Sequence, residues 1–257
     1  MIILGLLIMT DLMRSTTLFL LIPLWINLNF QQILAQAILL PDTTISKWKQ
    51  FYIQSYGADY NLITGTKYLN LHPSAEGHPF FGEDCFYQGW LMVNHLAYEN
   101  VSLKYDLCRQ QVILQYRHYS GSTESIILNE RYISEFEITG RLFRKYFFPG
   151  IEPGFYQVLS QDSISCLCYW KKDLVQDHSS GVLYRYLPEK KQDYLLMDQK
   201  IYPFRSRGSF VRLFPETCQK EIRHYIRSWE IWFGLANEKQ IQQLMVYCNE
   251  VIRNTKP

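Results

Sequence analysis

The stretch Val101-Ser102-Leu103-Lys104-Tyr105-Asp106-Leu107-Cys108-Arg109-Gln110-Gln111-Val112-Ile113-Leu114-Gln115-Tyr116 decides the fold class. In its first half apolar and polar residues alternate. An extended chain therefore puts Leu103, Tyr105 and Leu107 on one face and Lys104 and Asp106 on the other. After the polar break Cys108-Arg109-Gln110 a second run rich in β-branched and aromatic residues begins. Two such runs joined by a short turn predict an antiparallel hairpin.

The same rhythm extends in both directions. From Tyr60 to Tyr202, short runs of Tyr, Phe, Val, Ile and Leu are broken by turn residues roughly every eight to twelve positions. Strands are expected at 62–63, 67–71, 89–93, 101–107, 111–116, 124–128, 132–137, 141–147, 155–159, 164–171, 182–187 and 193–197. Ser120-Gly121-Ser122 and Gln161-Asp162-Ser163 supply turns through a φ-tolerant glycine and side chains that bond their own backbone. No helical segments separate these strands, which argues against a parallel α/β sheet.

Beyond Tyr202 the period changes from two to that of a helix. Pro215-Glu216 opens a helix with a carboxylate near its positive end. Cys218, Ile222, Tyr225, Ile226 and Trp229 then form one apolar stripe, and Gly234 ends the segment. Asn237 caps a second helix with Gln240 three residues on. Its stripe is Ile241, Leu244, Met245, Cys248, Val251 and Ile252. The expected fold is mainly β within the α+β class, an antiparallel sheet or roll of short hairpins with a C-terminal αα-hairpin. Residues 208–254 form the helical part of a single domain spanning 38–257.

Upstream, Arg14 precedes the apolar run Leu18–Ile26, a polar stretch and Ala35-Gln36-Ala37. These are the parts of a secretory leader with cleavage after an Ala-x-Ala site formed by Ala35 and Ala37. The run is about half of the roughly 20 residues a membrane-spanning helix needs, and Pro23 interrupts it. Residues 1–37 are read as a signal peptide, with Met13 as the translation start. The rival reading joins Ile2–Met9 to the later run as a signal anchor, against which Asp11 and Arg14 stand. No later segment is long and apolar enough to span a bilayer as a helix. Residues 42–52 (Asp42, Ile45, Trp48, Phe51, Tyr52) suggest a short helix or an edge strand.

Composition narrows the function classes. The 257 residues carry 26 Lys plus Arg against 24 Asp plus Glu, a net charge of +2, so no basic footprint for nucleic acid is present. At 47% hydrophobic and 19% charged the chain is of ordinary globular composition, not that of a disordered tail. His72, His78, His95, His118, His178 and His224 show no metal-ligand spacing, and Cys166-Leu167-Cys168 is too little for a metal site. No cofactor is expected. Neither a Gly-x-Ser-x-Gly elbow nor a phosphate-binding P-loop occurs, since Gly65-Thr66-Lys67 lacks the preceding glycine.

Two features remain. Six cysteines in an exported chain allow 15 pairings. Cys218 with Cys248, on the stripes of the two final helices, is the preferred disulfide, and Cys85 with Cys108 is second. The alternative is that all are small buried apolar residues. The densest unusual stretch is Glu76-Gly77-His78-Pro79-Phe80-Phe81-Gly82-Glu83-Asp84. It permits a site with His78 as base and Asp84 as its orienting partner. The preferred reading is structural: a proline turn whose aromatics plug the end of the sheet. The three positive charges of Arg141–Tyr146 are read as a solvated strand face.

Tyr68, Gly77-His78-Pro79-Phe80-Phe81, Gly89 and Tyr98-Glu99-Asn100-Val101-Ser102-Leu103-Lys104-Tyr105-Asp106-Leu107 resemble uncharacterised exported envelope proteins of Gram-negative bacteria. Gly154-Phe155-Tyr156 and the Lys220–Ile226 helix extend the likeness over roughly residues 60–250. Asn94-His95-Leu96 departs from it where a hairpin glycine is expected. The resemblance implies export and a β-rich fold with terminal helices, and carries no activity or site residue.

The leading expectation is a non-enzymatic binding or assembly role in the cell envelope. The chain would work in the periplasm, at the outer membrane or outside the cell, with an envelope protein, peptide or glycan as partner. The alternatives are an extracytoplasmic hydrolase built on His78 and Asp84, and a self-associating structural component.

Overall fold

The computed structural model describes residues 47, 62–118, 120–176 and 183–255. The chain divides into units of residues 1–57 and 58–257, and all described residues except Lys47 belong to the second. The expected leader and its expected cleavage site lie outside the described residues, and of the helix or strand expected at 42–52 only Lys47 is described, as helical.

The second unit is a mainly antiparallel β structure closed by helices. Its strands are β1 (Gly65–Lys67), β2 (Tyr87–Val93), β3 (Leu96–Asp106), β4 (Gln111–Arg117), β5 (Thr123–Leu128), β6 (Ile133–Ile138), β7 (Arg141–Tyr146), β8 (Gly154–Val158), β9 (Ile164–Lys171), β10 (Leu174–Gln176), β11 (Tyr184–Tyr186), β12 (Lys190–Met197) and β13 (Lys200–Phe204). Eleven of them form one sheet in the order β1-β5-β4-β3-β2-β6-β7-β8-β9-β12-β13, and β10 and β11 form a separate ribbon. The helices are α1 (Arg207–Val211), α2 (Glu216–Ser228) and α3 (Glu238–Thr255).

The order of the sheet forces its shape. Strand β6 lies four positions from β5, a separation of about 19 Å if the sheet were flat. Only residues 129–132 connect them, and Glu130–Tyr132 is a 3₁₀ turn capped by Asn129. At most about 3.3–3.6 Å per extended residue, and less in the turn, the link cannot cross a flat sheet. Strands β2–β5 therefore curl back toward β6, and the concave side becomes a core. Leu91, Leu103, Tyr105, Leu114, Phe136, Phe143 and Phe155 fill it. Its rings meet edge-on at Tyr105–Phe136 (5.2 Å) and stacked at Phe136–Phe143 (5.0 Å).

A second core lies between the far end of the sheet and the helices. On β9 the alternation is direct: Cys166 and Cys168 face the helices, while Leu167 and Tyr169 face the other side. Cys218, Ile222 and Ile226 of α2 and Ile241, Leu244, Met245, Cys248 and Val251 of α3 cover the first face. Asn237 and Gln240 form the expected reciprocal cap of α3, each backbone N–H donating to the other's side-chain oxygen (3.1 and 2.9 Å).

The β3–β4 hairpin stands in the expected register, with Leu103 opposite Leu114 and Tyr105 opposite Val112. Several details differ from expectation. In place of the two strands expected at 62–63 and 67–71 there is the single short β1, which overlaps the second only at Lys67. Strand β13 was not foreseen, and part of the segment expected at 182–187 lies outside the described residues. Asp106, on the face opposite Tyr105, is buried, and residues 79–81 pair beside it through an antiparallel bridge between Phe80 and Asp106. Trp229 is not part of the α2 stripe: it caps the helix C-terminus and is 60% exposed. The charges of Arg141–Tyr146 are largely partnered, Arg141 with Glu238 and Arg144 with Glu135.

Candidate functional site

The structure places His78 and Asp84 in one loop but gives them different partners. The Asp84 carboxylate pairs with Lys104 Nζ at 2.5 Å. His78 Nδ1 accepts the Phe80 N–H at 3.3 Å. Burial, and then the Lys172 ammonium, hold the His78 imidazole below its ordinary value, so it is neutral at pH 7. Asp84 thus serves a lysine and does not orient the imidazole.

Around them, residues 76–86 strap the sheet. Phe81 N–H donates to Tyr105 O and Leu107 N–H to Pro79 O, both at 2.9 Å. Lys172 Nζ donates to the carbonyls of His78 (3.3 Å) and Phe80 (2.8 Å). Phe80 and Phe81 are buried, and Phe81 meets Phe143 and Trp170 edge-on. Beneath the strap, Asp106 Oδ1 accepts the backbone N–H groups of Cys108 and Arg109, at 2.8 and 2.9 Å, and so shapes the hairpin turn. This geometry is what plugging the sheet requires.

All six cysteines are free thiols, and no bridge joins Cys218 to Cys248 or Cys85 to Cys108. Cys218 and Cys248 are buried in the same core, where burial pushes the Cys248 thiol far above its ordinary value. Cys168 donates to Asp193 Oδ1 at 2.9 Å, and Lys191 Nζ lies 3.1 Å from the same oxygen. This trio is not an activated nucleophile. Burial is the main cause raising the Cys168 thiol, and thiolate is the reactive form. Among the described residues no group of three or more His, Cys, Asp or Glu is placed to hold a metal ion.

A larger concavity lies elsewhere, where the ends of β7, β9, β12 and β13 meet the α2–α3 connection. It has a volume of about 890 Å³. Its apolar surface is Trp170, Phe204, Phe233, Leu235 and Ala236, and five cations surround it: Arg141, Lys190, Lys191, Arg205 and Lys239. Asp193 and Glu238 are the two carboxylates in the lining, and Asp173, outside it, takes Lys190 at 2.6 Å. Asp193 takes Lys191 and the Cys168 thiol, and Glu238 takes Arg141. Arg205 Nε donates to Gln192 Oε1 at 2.9 Å, a neutral partner that leaves its charge uncompensated. Lys239 forms no ion pair among the described residues.

A smaller concavity of about 440 Å³ lies by Tyr169 and Tyr194, between the turn at Gly150–Glu152 and the start of β12. Lys190, Lys191 and Arg205 line both spaces. They form a cationic corner where the sheet ends. None of these residues drew notice in the sequence. The signals present were the paired Lys190-Lys191, Arg205-Ser206-Arg207 and the aromatic run Trp229–Phe233 in a break between helices. Each is unremarkable until the fold brings them together.

Comparison with protein-family models, with curated proteins and with solved structures found no match to this chain. No helix among the described residues is long and apolar enough to cross a membrane.

Proposed function

We propose that this protein is a non-enzymatic binding component of the cell envelope, and that its groove between β12 and the α2–α3 connection holds an acidic peptide segment. The carrying observation is the lining itself: five cations against two carboxylates, both carboxylates already partnered, over an aromatic and aliphatic floor. A desolvated floor strengthens each charge contact made at its rim. Aliphatic Ala236 beside Phe204 and Phe233 suits peptide side chains. Pockets of this volume are of the size that takes ligands.

The test is binding of fluorescent oligoglutamate to the full chain, read by anisotropy, for wild type and for Lys190→Glu with Lys239→Glu. Both side chains are exposed, so the double variant is expected to fold. A loss of tenfold or more in affinity, together with steep weakening by salt, is the expected result. Equal binding by the double variant, or a preference for an anionic oligosaccharide over the peptide, would remove this reading.

A further inference from the structure

The turn that forms one wall of the groove has a second face. From Trp229 to Leu235 the chain alternates between core and solvent. Ile231 and Phe233 are buried in the helix–sheet core, while Trp229, Trp232 and Leu235 are 60%, 72% and 88% exposed. The backbone fixes this arrangement. Ile231 N–H donates to Ile226 O at 3.0 Å, and the N–H groups of Leu235 and Ala236 both donate to Trp232 O at 2.7 Å. The backbone of the turn is thus anchored from beneath, and three large apolar side chains project outward from it.

Beside the turn lies an adjoining cleft of about 710 Å³, which shares Arg205, Phe233, Gly234 and Leu235 with the groove and is bounded also by Trp232, Arg207 and Arg227, with Glu230 the one carboxylate in its lining. None of the three arginines forms an ion pair among the described residues. Exposed tryptophan with leucine, ringed by uncompensated arginine, has the two ingredients of attachment to an anionic bilayer. Indole rings favour the headgroup level, where one edge is apolar and the other wet. Cations are drawn to the negative surface potential, each gaining about fivefold in affinity.

We propose that the Trp229–Leu235 turn seats this protein on an anionic phospholipid surface. Trp232 and Leu235 enter the interface, and Arg207 and Arg227 contact lipid phosphates. The side chains project outward and carry their cations alongside, which fits a planar charged surface better than a complementary protein pocket. The lysine rim of the groove, Lys190 and Lys239, is not needed for this attachment.

The test uses the full chain with vesicles of phosphatidylcholine alone and of phosphatidylcholine mixed with phosphatidylglycerol, some carrying brominated acyl chains. The fluorescence of Trp232 is isolated as the difference between wild type and Trp232→Phe. This local readout is blind to any contribution from the apolar leader. The expected result is quenching of that difference signal on the mixed vesicles and not on the neutral ones. Arg207→Gln with Arg227→Gln should lower partitioning to the mixed vesicles about thirtyfold at low salt. Lys190→Glu with Lys239→Glu should leave the quenching in place, which separates this attachment from peptide binding in the groove. A Trp232 signal unquenched while the protein co-sediments with vesicles would overturn the proposal. Partitioning of the arginine double variant equal to wild type would do the same, and either result points to a protein partner for this turn.

Discussion

Asn94 and His95 turn the chain between β2 and β3 with φ of 50° and 65°, in the left-handed region. Two successive left-handed residues match the twist of a two-residue hairpin, and glycine usually supplies them. Asp198 (φ 49°) and Gln199 (φ 61°) make the same kind of turn between β12 and β13, again without glycine. This is why β13 was hard to read in the sequence: Asp198 favours a turn, but no glycine follows it to mark a two-residue hairpin. At His95 the side chain is exposed, so replacing it forfeits little contact. His95→Gly should remove a left-handed penalty of roughly 1–2 kcal/mol at an entropic cost of roughly 0.5–1. A net gain of about 0.5–1 kcal/mol is expected, read as a higher urea midpoint at unchanged slope. A lower midpoint would mean that the imidazole makes a contribution of its own. Gly89 is the opposite case. A Cβ there would sit 1.9 Å from Glu137 O on the neighbouring strand, at the bulge between Gly89 and Trp90. No side chain fits.

Helix α3 is held to the sheet by more than its apolar stripe. Asn249, buried on its inner face, accepts the Ile164 N–H at 2.9 Å and donates to Ile164 O and Met245 O at the same distance. One side chain satisfies both backbone groups at the start of β9, where the strand has just emerged from the Gln161-Asp162-Ser163 turn. Periodicity alone cannot reveal this, because Asn249 interrupts the apolar pattern and reads as a polar residue like any other. Asn249→Leu leaves a buried N–H and a buried C=O unpaired, each worth roughly 1–3 kcal/mol. The expected loss is about 2–4 kcal/mol in denaturant unfolding, with faster hydrogen exchange at the Ile164 amide. A change below about 0.5 kcal/mol would show that water can take over the role of the amide. By contrast, the two amphipathic helices, the Asn237–Gln240 cap and the β3–β4 register were all legible, because each depends on residues close together in sequence.

At the scale of the whole molecule, a tyrosine-rich interior sets an alkaline limit. Burial is the main cause that pushes the Tyr169 phenol up to about 12, and it raises Tyr105 and Tyr156 as well. In the unfolded chain these phenols ionise near 10. Their neutral forms therefore contribute stability in full below about pH 10, and lose it as pH rises from about 10 through about 12. Cooperative unfolding in that window, coincident with a rise in phenolate absorbance, is expected; smooth ionisation of all tyrosines near pH 10 without unfolding would contradict it. The class of the fold, its hairpin core and the helical closure were settled by the chain's own periodicity, since alternation and helical spacing are local properties of the backbone. The curl of the sheet, the strap with its neutral His78 and the cationic groove were decided only by tertiary structure. They join residues as far apart as Arg141, Lys190 and Glu238, or Lys172 and the carbonyl of His78. Charge, burial and hydrogen bonding at such places depend on which surfaces meet, and a linear sequence does not hold that information in any short window.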